Sequence, residues 1–222
     1  APKRNAKPSE VAIVGANVSA SNAIRTPQFW CLWVILFCNI TAGIGILENA
    51  APMVQDYFPA LTAAAAAGFV GLLSLANMGG RFIWSSASDV IGRKNMYMVY
   101  LGVGLIFYFL LASAGHTSLG LFVACALVLL TFYGGGFSTI PAYLRDLFGV
   151  YQVGAIHGRL LTAWSAAGVA GPLIINMVVE RQASRGSEGP ELYQLSLYIM
   201  CVLLAVGLVA NFLVKPVDRK WF

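Results

Sequence analysis

Arg81 is a lone cation inside a long apolar stretch, and a charged turn, Asp89-x-x-Gly92-Arg93-Lys94, begins eight residues after it. On a helix rising 1.5 Å per residue, Arg81 lies roughly 12 Å from Asp89. If the stretch crosses a bilayer, that position is within the apolar layer or at its inner edge. A charge at the centre of a spanning helix costs roughly 2.5–3.5 kcal/mol on insertion scales. Two readings account for such a residue. Its stem lets the guanidinium snorkel back to the headgroups, or the guanidinium lines a water-filled cavity and binds an anion. A carboxylate fits the second reading, because the planar fork donates two parallel hydrogen bonds. The turn also has two readings, a solvated link between helices or a latch. Gly92 permits a tight reversal. Asp89 can pair with an arginine or cap a helical turn.

The remaining charged residues carry less. Arg145 and Asp146 follow Pro141 in PAYLRDLFG, His157 and Arg159 open one apolar stretch, and Glu180 and Arg181 close it. All are read as solvated or headgroup-facing. Glu48 and Asp56 are expected at the outer mouth of the first hairpin, where either could contribute to a gate. His116 reads as a loop residue. Cys31, Cys38, Cys125 and Cys201 all lie in apolar stretches, with no C-x-x-C pair and no His at ligand spacing. We therefore expect buried or lipid-facing thiols, no metal site and no cofactor. No G-x-S-x-G, H-E-x-x-H or P-loop pattern is present. Gly134–Gly136 sits inside an apolar stretch and follows no strand, so it is not a phosphate cradle. No enzyme is expected.

The elements that position these residues follow from composition. Of 222 residues, 59% are hydrophobic and 10% charged, and the mean hydropathy is +0.75. Soluble domains carry about 25% charged residues. Lipid must therefore cover much of this chain. Six stretches are long and apolar enough to cross a bilayer: about 27–50, 60–85, 96–114, 119–140, 153–179 and 193–214. Residues 1–26 are mixed polar and lack the apolar core of a secretory signal. With the N-terminus inside, twelve of the 14 basic residues fall in inner segments or adjoining helix ends. The other two, Arg181 and Arg185, fall outside. This bias predicts that both ends are cytoplasmic and that the number of spans is even. The net charge of +5 is spread over the ends of apolar stretches rather than gathered on one surface, so no nucleic-acid partner is expected. Small residues at 63–68, 134–136 and 166–171 suit close helix packing. Pro141 and Pro172 are expected to interrupt or kink the fourth and fifth spans.

The stretch GGRFIWSSASDVIGRK resembles the loop signature of the major facilitator superfamily, roughly G-x-x-x-D-R-x-G-R-K between the second and third helices of each half. Asp89, Gly92, Arg93 and Lys94 match it, while Ser85 and Val90 stand where Gly and Arg are usual. Such weakening points to the C-terminal copy. TPQFWCLWVILFCNITAGIGILENAAPM from Thr26, YGGGFSTIPAYLRDLFG from Tyr133 and GRLLTAWSAAGVAGP from Gly158 look like the oxalate/formate antiporter family, a relative of the monocarboxylate transporters.

The resemblance implies an all-α membrane protein forming the C-terminal six-helix half of a twelve-helix fold. Residues 1–25 would end the central cytoplasmic loop, 26–214 form the bundle and 215–222 the cytoplasmic tail. The chain would be a fragment, a split polypeptide or one partner of a two-chain transporter. An N-terminal six-helix half, in the same parent chain or separate, is the implied partner, beside lipid and a small organic anion. The membrane would be a plasma membrane or a bacterial inner membrane.

Arg81 matches the family's substrate-binding arginine, and Tyr133 and Phe137 match its aromatic pair. Trp164 stands where the oxalate transporter has a lysine. One cation balances a monoanion and leaves a dianion undercompensated. A monocarboxylate is therefore expected in preference to oxalate. Transport would proceed by alternating access, with the turn at Asp89, Gly92, Arg93 and Lys94 latching the cytoplasmic side. The alternative is a non-transporting sensor or assembly subunit that keeps the fold without the site. Retention of Arg81 speaks against it.

Overall fold

A computed structural model describes residues 17–221. Among them the regular structure is helical: α1 Ala20–Ala23, α2 Pro27–Tyr57, α3 Ala63–Ile91, α4 Arg93–Ala114, α5 Leu119–Phe148, α6 Val153–Leu160, α7 Thr162–Ala183 and α8 Glu191–Leu213. Short 3-10 turns cover Gly115–Thr117 and Arg219–Trp221. With α6 and α7 taken as one span, six helices are long and apolar enough to cross a membrane. The basic residues Lys3, Arg4 and Lys7 lie outside the described residues.

The helices begin where capping chemistry allows. Thr26 and Thr62 are extended, and their hydroxyls accept from the amides of Phe29 and Ala65. Pro27 follows Thr26 at the first helical position, where its missing N–H loses no bond. Most helices run past the apolar limits expected from the sequence, because their last turns are polar: α2 continues to Tyr57, α3 to Ile91 and α5 to Phe148. Pro141 and Pro172 do not break their helices. Both lie inside continuous α5 and α7, and the interruption in the fifth span falls at Leu161. In lipid, neighbouring helices can re-satisfy the backbone groups that a proline frees.

α2 and α5 are the most enclosed spans, whereas α3 and the α6–α7 span are the most open. α3 packs along α5, α4 along α8, and α2 against α7, α8 and α5. Three consecutive glycines explain how α5 sits among its neighbours. Successive residues point about 100° apart around a helix, so Gly134 and Gly135 meet α3 at two places and Gly136 meets α2. A Cβ on Gly134 would lie 2.1 Å from the Asn77 carbonyl oxygen of α3. One on Gly135 would lie 2.7 Å from the Trp84 side chain. One on Gly136 would lie 2.3 Å from Asn39 Oδ1 of α2. Gly80 of α3 packs likewise against the Thr131 carbonyl, 2.2 Å from an added Cβ. The small-residue packing expected at 134–136 is therefore direct backbone contact.

Buried tyrosines tie the spans together with polar tips. The Tyr97 hydroxyl donates to the Gly136 carbonyl at 2.6 Å and the Tyr108 hydroxyl to the Ala42 carbonyl at 2.6 Å. Tyr100 and Thr139 share a 3.0 Å hydrogen bond. Each bond satisfies a group that lipid could not.

Candidate functional site

The open surface is of two kinds. On α4 and α8 it is apolar, with Ile106, Phe109, Val202, Val206 and Val209 outermost, which suits lipid. On α3 and α7 it also carries Ser74, Arg81, Ser86, Thr162, Ser165 and Asn176. Polar side chains on a lipid face are costly, so the parts of α3 and α7 that bear them border water or protein.

Arg81 lies on that polar-bearing side of α3, ten residues before the end of the helix at Ile91. Its backbone is pinned to α5, since Ser138 Oγ donates to the Arg81 carbonyl at 3.2 Å. Its Nε reaches Asn77 Oδ1, one turn back, at 3.4 Å. The guanidinium carbon sits 5.2 Å from the centre of the Phe137 ring, a cation–π distance. Phe137 in turn lies 6.2 Å from Trp164 of α7, centroid to centroid. Arg81 makes no ion pair among the described residues. The fold thus joins Arg81, Phe137 and Trp164 from three helices at one open surface.

Tyr133 of α5 meets that group from its buried side, with its hydroxyl within reach of the Trp164 side chain and near Arg81. It is 9% exposed and packs directly on Gly43 of α2, where an added Cβ would collide with its side chain. It therefore backs the site from the α2 side. Glu48, expected at the outer mouth, lies inside α2, nine residues before Tyr57. It is exposed and also without an ion pair among the described residues. The helix continues past the expected limit at Ala50, so Glu48 stands more than two turns before its end. Asp56 does lie at the helix end, where its Oδ2 accepts from the Tyr193 hydroxyl at 2.7 Å.

The charged turn is one residue long. α3 ends at Ile91 and α4 begins at Arg93, with Gly92 between them at φ 92° and ψ 145°. That backbone is nearly closed to residues with a Cβ. Arg93 pairs with Asp89 and donates to Ser88 Oγ at 2.8 Å. It also crosses to α5, 3.5 Å from Asp146 Oδ2. Asp146 was not singled out as its partner, because a helix-end carboxylate has a simpler solvated reading. Lys94 Nζ donates to the carbonyls of Val214 at 2.6 Å and Phe212 at 3.2 Å, capping α8. Asn211 of α8 donates back to the Lys94 carbonyl at 2.9 Å and accepts from the Tyr143 hydroxyl at 3.2 Å. The turn thereby joins α3, α4, α5 and α8 around a cavity of about 320 Å³. The four cysteines are free, and among the described residues no cluster of His, Cys, Asp or Glu is placed to hold a metal ion.

The family model described as Major Facilitator Superfamily matches residues 2–172 and again residues 61–222. The chain belongs to the major facilitator superfamily. Its helices form a six-helix half of that fold, and it is a multi-pass membrane protein of a transporter family. The oxalate:formate antiporter of Oxalobacter formigenes is 25% identical over 170 residues, 77% of this chain and 40% of the relative. An uncharacterized MFS-type transporter of Escherichia coli (strain K12), YhjX, is 27% identical over 158 residues, 71% of this chain and 39% of the relative. Apicoplast pyruvate carrier 1 of Toxoplasma gondii is 26% identical over 178 residues, 77% of this chain and 32% of the relative. The chain thus spans two fifths or less of each of these relatives.

Proposed function

We propose that this chain is the C-terminal half of a secondary active transporter that moves small carboxylates by alternating access. Monocarboxylates such as formate, lactate or pyruvate would be favoured over oxalate. The observation that carries the reading is the placement of Arg81. A guanidinium inside a spanning helix, over an aromatic ring, on an open surface and without a carboxylate partner among the described residues, is set to take an anion from water. Phe137 and Trp164 wall the same surface, and Tyr133 of α5 supports it on the side that faces α2. Such walls exclude water and strengthen the charge–charge contact.

An N-terminal six-helix half, in the same parent chain or separate, completes the cavity. The two halves rock about a midplane site. The Asp89, Gly92, Arg93 and Lys94 turn acts as the latch on the cytoplasmic side, and both termini lie on that side, in a plasma or bacterial inner membrane. Two relatives support the substrate class through their names, one an oxalate:formate antiporter and one a pyruvate carrier. The preference for a monoanion rests on Trp164, which brings no second cation to Arg81. The test is competition by formate, lactate, pyruvate and oxalate for uptake by the complete transporter in proteoliposomes. Monocarboxylates should compete best, and a strong preference for oxalate would overturn the substrate assignment.

A further inference from the structure

A groove of about 350 Å³ runs between α7 and α8 near the 184–190 connection. Its walls are apolar, with Met177 and Val178 from α7 and Leu195 and Ile199 from α8. Its head is basic, formed by Arg181 and Arg185. The spacing makes this geometry. Residues 177 and 181 stand one turn apart on α7 and Arg185 follows in the turn just past its end, so an apolar stretch leads to two guanidinium groups. The 195 and 199 pair faces it across the groove with the same spacing.

Both arginines are exposed, and neither forms an ion pair among the described residues. They are also the two basic residues that the charge bias leaves on this side of the bundle. A helix C-terminus favours Arg181 electrostatically. That does not account for Arg185, which lies beyond the end of α7 at Ala183, nor for an apolar groove below the pair. A charge pair above an apolar slot at a membrane boundary matches one occupant. Its head must be anionic and its tail apolar.

We propose that this groove is a binding site for an anionic phospholipid. The phosphate meets the Arg181 and Arg185 forks, which can each donate two hydrogen bonds to phosphate oxygens. One acyl chain lies along Met177, Leu195 and Ile199. A zwitterionic lipid offers the same phosphate, but its own cation opposes the two arginines, so the site selects net negative headgroups. The proposal holds whichever substrate the transporter carries.

Native mass spectrometry of the complete transporter, mixed with phosphatidylglycerol or phosphatidylcholine, tests it. The wild type should retain phosphatidylglycerol preferentially. Arg181→Gln with Arg185→Gln should lower that retention about twenty-five-fold, since two surface arginines contribute about a factor of five each. Ile199→Trp, which fills the groove and keeps both charges, should lower it as well. Equal retention of the two lipids by the wild type, or unchanged phosphatidylglycerol retention in the double variant, would overturn the proposal.

Discussion

At the level of single residues, the account turns on how many cations face the substrate. Trp164 lies one ring away from Phe137, which lies under Arg81. A cation placed at 164 would therefore sit near enough to share an anion. We expect Trp164→Lys to shift competition toward oxalate by about tenfold, as two charges in a poorly hydrated cavity offset a dianion. An unchanged oxalate to formate ratio would show that position 164 does not face the substrate. Arg81 was legible in the sequence because a charge in an apolar stretch is conspicuous. Its supports were not: Ser138 and Asn77 are ordinary residues until the fold brings them to Arg81. Spacing also set Tyr133 beside Phe137, but only the fold shows that it packs on Gly43 of α2 while its hydroxyl reaches toward Trp164.

At the level of helices, close packing sets where the arginine stands. The Gly134 contact with Asn77 brings α3 against α5 one turn from Arg81. Gly134→Ala should force the helices apart at that point and lower stability by about 1–3 kcal/mol, read as a drop in the melting temperature of the purified transporter. Affinity for substrate should weaken in parallel, as the guanidinium moves away from Phe137. Gly92→Ala tests the turn. At φ 92° a Cβ is strained by about 1–3 kcal/mol, so the variant should also melt lower. Arg93→Gln, which leaves the backbone free, should loosen the links to Asp146, Asp89 and Ser88 and lower stability by about 1 kcal/mol, since the arginine is 10% exposed but both carboxylates are half exposed or more. The number and order of the spans could be read from apolar length. Their ends could not, because helices continue through polar turns wherever a cap or an ion pair satisfies the backbone. The prolines misled for a related reason: neighbouring spans support α5 and α7 at Pro141 and Pro172.

At the level of the whole molecule, the charge bias predicts orientation. The faces bearing Gly92 and Lys220 should lie in the cytoplasm, and that bearing Ser187 on the opposite side. Single cysteines at Ser187 and Lys220 should then react with a membrane-impermeant maleimide from opposite sides of sealed cells. Labelling of both from the same side would refute the single crossing, by α8, between them. The membership of the superfamily was legible from the turn and three further stretches, whereas the direction of each side chain needed the fold. The most direct test of the central claim is uptake of labelled pyruvate or formate by the complete transporter in proteoliposomes, with the wild type compared against Arg81→Lys and Arg81→Ala at equal protein content. The account predicts that Arg81→Ala falls by about ten- to a hundredfold, the loss of one charge-assisted pair, and that Arg81→Lys retains part of the rate. Uptake by Arg81→Ala at near wild-type rate would contradict it.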